Sequence, residues 1–346
     1  MKVIINKKIV TLKPTNMFGA EGEIFLFESI GEEKCAKIYG TSKRTPYQEK
    51  KVLSLIQKFN QLDFGGVQNQ IAFPETPIYD IDTKEFCGFV MKYFKGYEQI
   101  SKYSYDLEKE SFRTSNKSEK YFLDIIDELY TYLEVLHTGG IILGDLNPQN
   151  ILISNNLKPV IVDIDSAQVG TFYSNSQRKE YRDPKVQMDG FGNNKFFVYS
   201  TDSDTFSLSI IFYELIIGSN PYFYQTDPPT ESYYKKQQNI CLLDCILIGI
   251  EKEITKNINI VRNEFYYSTL NRILYLSESQ PRVLDYFTKV FTNGIRKYFY
   301  LNEQKIIPKI LFKKYKHVEG IEHIMGYSKE DPKELIHFIN QFQINI

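Results

Sequence analysis

The chain has 346 residues, 42% of them hydrophobic and 25% charged, and its formal net charge is −1. That describes an ordinary globular protein, long enough for two domains or one large two-lobed one, and excludes a disordered chain. It has no global basic field to draw in nucleic acid or an anionic membrane. It also has no run of about 18 apolar residues able to span a bilayer. The N-terminal MKVIINKKIVTLK alternates apolar and polar residues instead of forming the continuous apolar core of a signal peptide, so the sequence reads as cytosolic. Of the four cysteines, Cys241 and Cys245 share a helix face at i, i+4 spacing, but no nearby His or Cys completes a metal set. All four, with Cys35 and Cys87, are expected to be reduced core thiols.

In chain order, residues 1 to about 40 read as strands: the alternating VIINKKIVTL, then EIFLFESI and EEKCAKIYG. Between the first two lies Met17 to Glu23, a turn with two glycines. TPYQEKKVLSLIQKF has helical spacing at Val52, Leu53, Ile56 and Phe59, and QIAFPETPIYD and EFCGFVMKYF are two further strands. A polar stretch over 97–120 reads as surface helix and loop. SEKYFLDIIDELYTYLEVLH then gives an amphipathic helix with Phe122, Ile125, Ile126, Leu129, Leu133 and Leu136 on one face and Ser118 as N-cap. KPVIVDIDSAQ is a strand ending in acids. Residues 166–200 lack clear periodicity, and DTFSLSIIFYELIIG opens a largely helical remainder. Near the end, Asp331-Pro332-Lys333-Glu334 reads as a capped helix start.

The polar positions that carry chemistry are Gly19 and Gly22, Lys37, Glu49, Asp145 and Asn150, Asp163, and Asp204. Glycines between two strands let backbone N–H groups approach phosphate oxygens, although a plain hairpin turn needs them as well. Lys37 sits mid-strand in CAKIY; if it faces inward it requires an anionic partner, because an unpaired buried ammonium is costly. Glu49, twelve residues on, is placed either to pair with Lys37 or to face solvent on its helix. In ILGDLNPQNILI, Pro148 argues against one continuous helix. Asp145 and Asn150 therefore share a loop between two buried elements. A tight turn near Asn155 and Asn156 would pair ILIS with VIVD and bring Asn150 close to Asp163. An amide oxygen and a carboxylate suit Mg²⁺, and a nearby carboxylate off the metal can accept a proton from an attacking hydroxyl. That division of labour serves phosphoryl transfer.

In this order the segments resemble a Hanks-type Ser/Thr protein kinase over roughly residues 1–302. GAEGEIF resembles the Gly-rich loop, CAKIY the V-A-I-K strand, and VMKYFKG the segment linking the lobes, with Met91 at the gatekeeper position. LGDLNPQN resembles H-R-D-L-x-x-x-N, DID resembles D-F-G, and YRDPK stands where A-P-E would be. DTFSLSIIFYELIIGSNPY resembles the helix whose Asp braces the catalytic loop, and QPRVLDYFTKVFTNG a late helix ending in F-x-x-G. Within the superfamily, G-D-hydrophobic-N and D-x-D-S are similar to a divergent bacterial branch. Some members of that branch carry DNA-binding helix-hairpin-helix extensions, and none is expected here. The resemblance implies an α+β, bilobal protein-kinase-like fold: 1–94 as a β-rich small lobe with Gly-rich loop and hinge, 95–302 as a helical large lobe, and 303–346 as a helical tail that packs on it or binds a partner. It implies ATP and Mg²⁺ (or Mn²⁺) as cofactors and γ-phosphoryl transfer to Ser/Thr of a protein substrate or of the chain itself. No nucleic acid or membrane partner follows from it, and it leaves oligomeric state open. By resemblance Lys37 holds the α/β-phosphates, Glu49 holds Lys37, Asp145 is the base, and Asn150 and Asp163 ligate the metal. Gly19 and Gly22 line the phosphates, while Met91, Lys92, Tyr93 and Phe94 border the adenine.

Several positions depart from the pattern. Met17 replaces the first glycine of the loop, which implies weaker nucleotide binding or a different loop shape. Leu143-Gly144 replace His-Arg, so a phosphorylated activation segment has no basic anchor there, and activity should depend little on such phosphorylation. Asn147 replaces a Lys that would reach the γ-phosphate, to which its amide can still hydrogen-bond. Asp165, third in D-x-D, is either a further metal ligand or a restraint on Asp163. Lys185 replaces the A-P-E Glu, whose ion pair is then absent or reversed, and no late Arg is evident. Ser166, Thr171, Tyr173, Ser174, Ser176 and Tyr181 are all possible self-acceptors. Two other functions fit the same residues: a small-molecule kinase of the aminoglycoside or choline type, which also carries G-D and D-x-D, and a nucleotide-binding pseudokinase that scaffolds a partner.

Overall fold

The computed structural model describes residues 1–19, 21–61, 66–109, 111–112, 119–156, 158–174, 178–189, 196–227, 229–237, 241–243, 259–261 and 263–301. The expected N-cap Ser118, Cys245, Ser176 and the tail from 303 lie outside these residues. The contacts divide the chain into two compact units. The first comprises residues 1–100, 131–177 and 186–204; the second comprises 101–130, 178–185 and the chain from 205 on.

The first unit is built on a seven-stranded antiparallel sheet, in the order β2-β1-β6-β7-β5-β4-β3. Its strands are β1 (Lys2–Ile5), β2 (Lys8–Thr11), β3 (Lys13–Phe18), β4 (Gly22–Ser29), β5 (Glu32–Tyr39), β6 (Thr76–Asp80) and β7 (Phe86–Lys92). The first alternating run is not one strand. It folds back at Asn6-Lys7, both at positive φ, into a hairpin with Lys2 opposite Thr11. Two left-handed residues are what a two-residue hairpin turn demands, and a lysine in that role gives no signal in sequence. Period-2 alternation sorts β5. Ala36 and Ile38 enter one apolar cluster with Val3, Ile5, Ile78 and Val90, while Cys35 and Tyr39 enter another with Phe89, Met91, Phe94 and Val160. Lys37 lies on the second face, opposite Phe89 on β7.

Helix α1 (Pro46–Gln61) buries Val52 and Leu55, whereas Leu53, expected on the apolar face, points to solvent. After α2 (Glu119–Thr138) come the short strands Ile141–Ile142, Ile151–Ile153 and Pro159–Ile161. All six apolar positions expected on one face of α2 are at most 2% exposed. Burying each contributes roughly 1.5–3 kcal/mol, which outweighs the modest helix propensity of the isoleucines. The polar stretch ahead of α2 forms short paired strands where a helix was expected, Tyr105–Asp106 against Ser111–Phe112. In the second unit α3 (Thr201–Ile217) continues, with the helices Glu264–Ser279 and Pro281–Phe287. Its core is aromatic: Phe212 and Phe287 lie 4.8 Å apart, and Tyr130, Ser209 and Tyr286 form a closed hydroxyl triangle. Among the described residues no helix is long and apolar enough to cross a membrane; Cys35 and Cys87 are buried free thiols, and Cys241 is buried.

Candidate active site

The loop from Leu143 to Asn150 is shaped from both ends. Asp204, at the start of α3, accepts the backbone N–H of Leu143 (2.6 Å) and of Gly144 (2.8 Å) and also contacts His137 Nε2 at 3.0 Å. The bracing role expected of Asp204 is thus met, with His137 as a partner that sequence reading missed. Gly144 has φ +71°, and a Cβ there would lie 2.8 Å from the Tyr199 ring, so the close approach of that ring demands glycine. Asn147 is buried and inward. Its Oδ1 caps the following turn at Gln149 N–H, and its Nδ2 donates to Asp145 O. Its expected contact with a phosphate is therefore not what the structure supports. Asn150 Nδ2 donates to the same Asp145 carbonyl at 2.9 Å, which leaves its amide oxygen as the other end.

Ile151–Ile153 pairs with Pro159–Ile161 through the expected turn, closed by Ser154 N–H to Lys158 O, and Val162 N–H donates to Asn150 O. Asn150 therefore lies one residue from Asp163 across the ladder. Asp163 itself is left-handed, φ +62° and ψ +38°, a conformation that Asp tolerates better than most residues. A single 3-10 turn, Ile164–Ser166, follows. It turns Asp165 back towards β5.

Lys37 is the hub. It is 5% exposed, and its Nζ lies 2.5 Å from Asp163 Oδ1 and 2.8 and 2.9 Å from the two oxygens of Asp165. Tyr39, two residues along the same strand face, donates its hydroxyl to Asp165 Oδ2 at 2.6 Å and accepts Gln48 Nε2 at 2.8 Å. Burial works against the Lys37 charge, but Asp165 and Asp163 outweigh it and hold the ammonium above the usual lysine range. Burial also opposes the charge on Asp165, yet Lys37, Tyr39 and Lys51 keep that carboxyl below its ordinary value. Asp163, desolvated and repelled by Asp165, is pushed up to about 6. The side chain of Asp165 is 0% exposed and that of Asp163 37%. The two acids thus differ in access, and the metal-ligand role expected for Asp165 gives way to that of a buried counter-ion.

Glu49 does not hold Lys37. It accepts the Tyr79 hydroxyl at 3.1 Å, on a different face of α1. The face turned towards Asp165 carries Gln48 and Lys51. Lys51 is 3% exposed and donates to Ser166 O and Tyr173 O. One residue of helical phase, about 100°, separates the direction of Gln48 from that of Glu49, and sequence spacing alone cannot resolve it.

Gly22 lies within β4, where a Cβ would meet Ile38 O at 2.2 Å, so this glycine packs the sheet. Gly19 is exposed and donates its N–H to Gly22 O, closing the turn that follows the exposed Met17 and Phe18. Met91 and Phe94 are buried in the apolar cluster that also gathers Ile24, Leu152 and Val162, with Tyr93 at its edge. Lys92 turns to Asn69 O and lies 5.3 Å from the Phe94 ring. In the second unit Arg296 Nε donates to Asp183 Oδ2 at 2.8 Å, both side chains buried. The expectation of an absent or reversed ion pair is therefore wrong. The acid is Asp183, two residues before Lys185, and Arg296 is the late arginine that sequence reading did not find. Of the possible self-acceptors, Ser166 donates to Asp163 O, Ser174 is fully buried and Tyr181 donates to Glu214, whereas Thr171 is exposed.

Residues 18–293 match the family model of the protein kinase domain. The chain belongs to the protein kinase domain family. The α+β, bilobal fold expected from sequence is the fold of this family. Curated relatives of this protein kinase domain include a probable serine/threonine-protein kinase of Dictyostelium discoideum, 26% identical over 187 residues, 44% of this chain and 39% of the relative. A RAC family serine/threonine-protein kinase homolog of the same organism is 26% identical over 153 residues, 42% of this chain and 31% of the relative. The serine/threonine-protein kinase unc-51 of Caenorhabditis elegans is 22% identical over 209 residues, 55% of this chain and 21% of the relative. The matches span well under half the length of each relative. Among solved structures, a rhoptry kinase from Toxoplasma gondii covers 64% of this chain and 66% of its own at 15% identity, with a TM-score of 0.48.

Proposed function

We propose that this protein is an active kinase that transfers the γ-phosphoryl group of ATP to Ser or Thr hydroxyls of a protein, itself included. The observation that carries this reading is the convergence of Lys37, Asp163 and the Asp145–Asn150 loop in one unit, tied by the Lys37–Asp163 contact and by the Asn150 bonds to Asp145 and Val162. Membership in the protein kinase domain family supports it. By the family pattern, residues 1–94 serve as the small lobe, 95–302 as the large one and 303–346 as a helical tail that packs on it or binds a partner, whereas the contacts join 131–177 and 186–204 to residues 1–100.

The residues fit a divalent cation. Asn150, its Nδ2 committed to Asp145 O, offers an amide oxygen, and Asp163 offers the accessible carboxylate. Hard oxygen donors of this kind suit Mg²⁺ or Mn²⁺. The cation, when bound, neutralises phosphate charge. The carboxyl of Asp163, raised by desolvation and by the charge of Asp165, is the group such a cation would favour in its ionised form. Lys37 holds the phosphates as a cation fixed by Asp165. Asp145 accepts the proton of the attacking hydroxyl. Met91, Tyr93 and Phe94, with Ile24 and Leu152, give the apolar border for a base.

The test is label transfer from γ-labelled ATP with Mg²⁺, to the protein itself and to a generic protein substrate. Asp145→Ala should reduce turnover by a factor of about 10² to 10⁴, the usual contribution of a positioned acid–base group, and Asp163→Ala should abolish the Mg²⁺-dependent transfer. No transfer, with ATP still raising the melting temperature, would favour the nucleotide-binding scaffold. Transfer to a small aminoalcohol and not to protein would favour the metabolite kinase.

A further inference from the structure

In this fold the lysine that meets the phosphates needs a carboxylate to fix it, and the sequence offered Glu49 of α1 for that task. The geometry points elsewhere: we propose that Asp165, the second acid of D-x-D, is the resident counter-ion that positions Lys37, so that the lysine is held without a carboxylate from α1. The proposal rests on the kinase reading above and deepens it.

Four observations carry it. Both oxygens of Asp165 face Lys37 Nζ, at 2.8 and 2.9 Å, a two-point grip that leaves the ammonium little freedom. The carboxylate is itself fixed by the Tyr39 hydroxyl at 2.6 Å, from the strand that carries Lys37. Lysine, acid and tyrosine are thus one rigid group built from β5 and the D-x-D turn. Asp165 is fully buried and Asp163 is not, so one acid remains with the lysine while the other is accessible. Finally, Glu49 is engaged with Tyr79. Helix α1 makes no hydrogen bond to Lys37 among the described residues; it reaches the group through Gln48 on the Tyr39 hydroxyl and through the charge of Lys51 on Asp165. Because an ion pair with its partner on the same framework forms as the chain folds, Lys37 is set for phosphate contact before any rearrangement of the helix.

The experiment has two independent arms. In the first, unfolding midpoints in urea are measured for Lys37→Met, Asp165→Asn, Glu49→Gln and the doubles Lys37→Met/Asp165→Asn and Lys37→Met/Glu49→Gln. A buried ion loses most when its partner alone is removed. The Lys37/Asp165 double should therefore be no less stable than the worse single, while the Lys37/Glu49 effects should add. If Asp165→Asn does not fold, Tyr39→Phe, which leaves the carboxylate in place, is run through the same cycle with Lys37→Met and should show the same non-additivity. In the second arm, Asp165→Asn should raise KM for ATP more than tenfold with KM for the protein substrate unchanged, and Glu49→Gln should stay within twofold of wild type for both. A merely structural Asp165 would lower stability and leave KM for ATP where it was. Additive Lys37 and Asp165 effects, or an ATP defect in Glu49→Gln as large as that of Asp165→Asn, would overturn the proposal. If wild type transfers no phosphate, the kinase reading fails, and the stability cycle still decides the role of Asp165.

Discussion

Two buried ion pairs, one in each compact unit, are built on opposite plans. In the second unit Arg296 meets one acid. It donates to both oxygens of Asp183 and to Val290 O, and its guanidinium carbon lies 4.1 Å from the Phe206 ring. One cation, one anion and a planar fork with its donors engaged make a closed pair. In the first unit Lys37 meets two acids, and desolvation, with the charge of Asp165, pushes Asp163 up to about 6. That cluster is open: the Asp163 side chain is 37% exposed and within reach of a further cation. The comparison teaches that burial alone does not mark function, and that an accessible acid with a shifted titration beside a buried cation is the better sign.

The largest way to sharpen the contrast is Asp183→Ala. Leaving Arg296 buried without its acid should cost about 3–5 kcal/mol, read as a lower urea midpoint. Asp165→Asn, by contrast, should act on ATP affinity. A small stability loss for Asp183→Ala would break the distinction.

Lys51 gives the next effect. Burial pushes its ammonium down to about 8 against the pull of Asp165 and Glu21, with Lys43 and Lys37 repelling it. Its folded value lies below its free one, so the unfolded chain binds more protons between about pH 8 and 10.5. Stability should therefore rise with pH across that window, by up to about 3 kcal/mol. Subtracting the Lys51→Met profile from wild type isolates this rise, and a flat difference would show that the two carbonyl contacts do not enforce burial.

Asp204→Ala should cost about 1–3 kcal/mol, the penalty for buried donors left without their acceptor, here the N–H groups of Leu143 and Gly144. Hydrogen exchange at those two amides should speed up more than at α1. The smallest effect belongs to Tyr79→Phe, about 0.5–1.5 kcal/mol for one hydrogen bond. KM for ATP should be unmoved if Glu49 has no part in holding Lys37.

Much of the site was legible because its residues are tied by short-range rules. Asp145 and Asn150 were recognisable from a proline-broken loop ahead of an apolar run, and Asn150 and Asp163 from two β-branched strands with a turn between. Tyr39 was within reach of the same reasoning, since period 2 puts it on the Lys37 face. Three features were not legible. The partner of Lys37 depended on helical phase, where one position turns Glu49 towards Tyr79. Asp183 with Arg296, and His137 with Asp204, are contacts across 113 and 67 residues, and no local pattern announces them. The hairpin at Asn6-Lys7 was missed because its turn lacks the glycine that usually marks one.

The ring of Tyr199 lies where a side chain at position 144 would begin. The arginine that other members of the superfamily place before the catalytic aspartate is thus more than absent here. Gly144→Arg alone would collide with the ring and force a left-handed backbone on a bulky residue, and Tyr199→Ala alone would open a void. Even the two changes together leave an arginine at the left-handed φ of +71°. An arginine at 144 would need a different residue at 199 and a right-handed backbone at 144 together, so no single substitution installs a phosphate-responsive anchor.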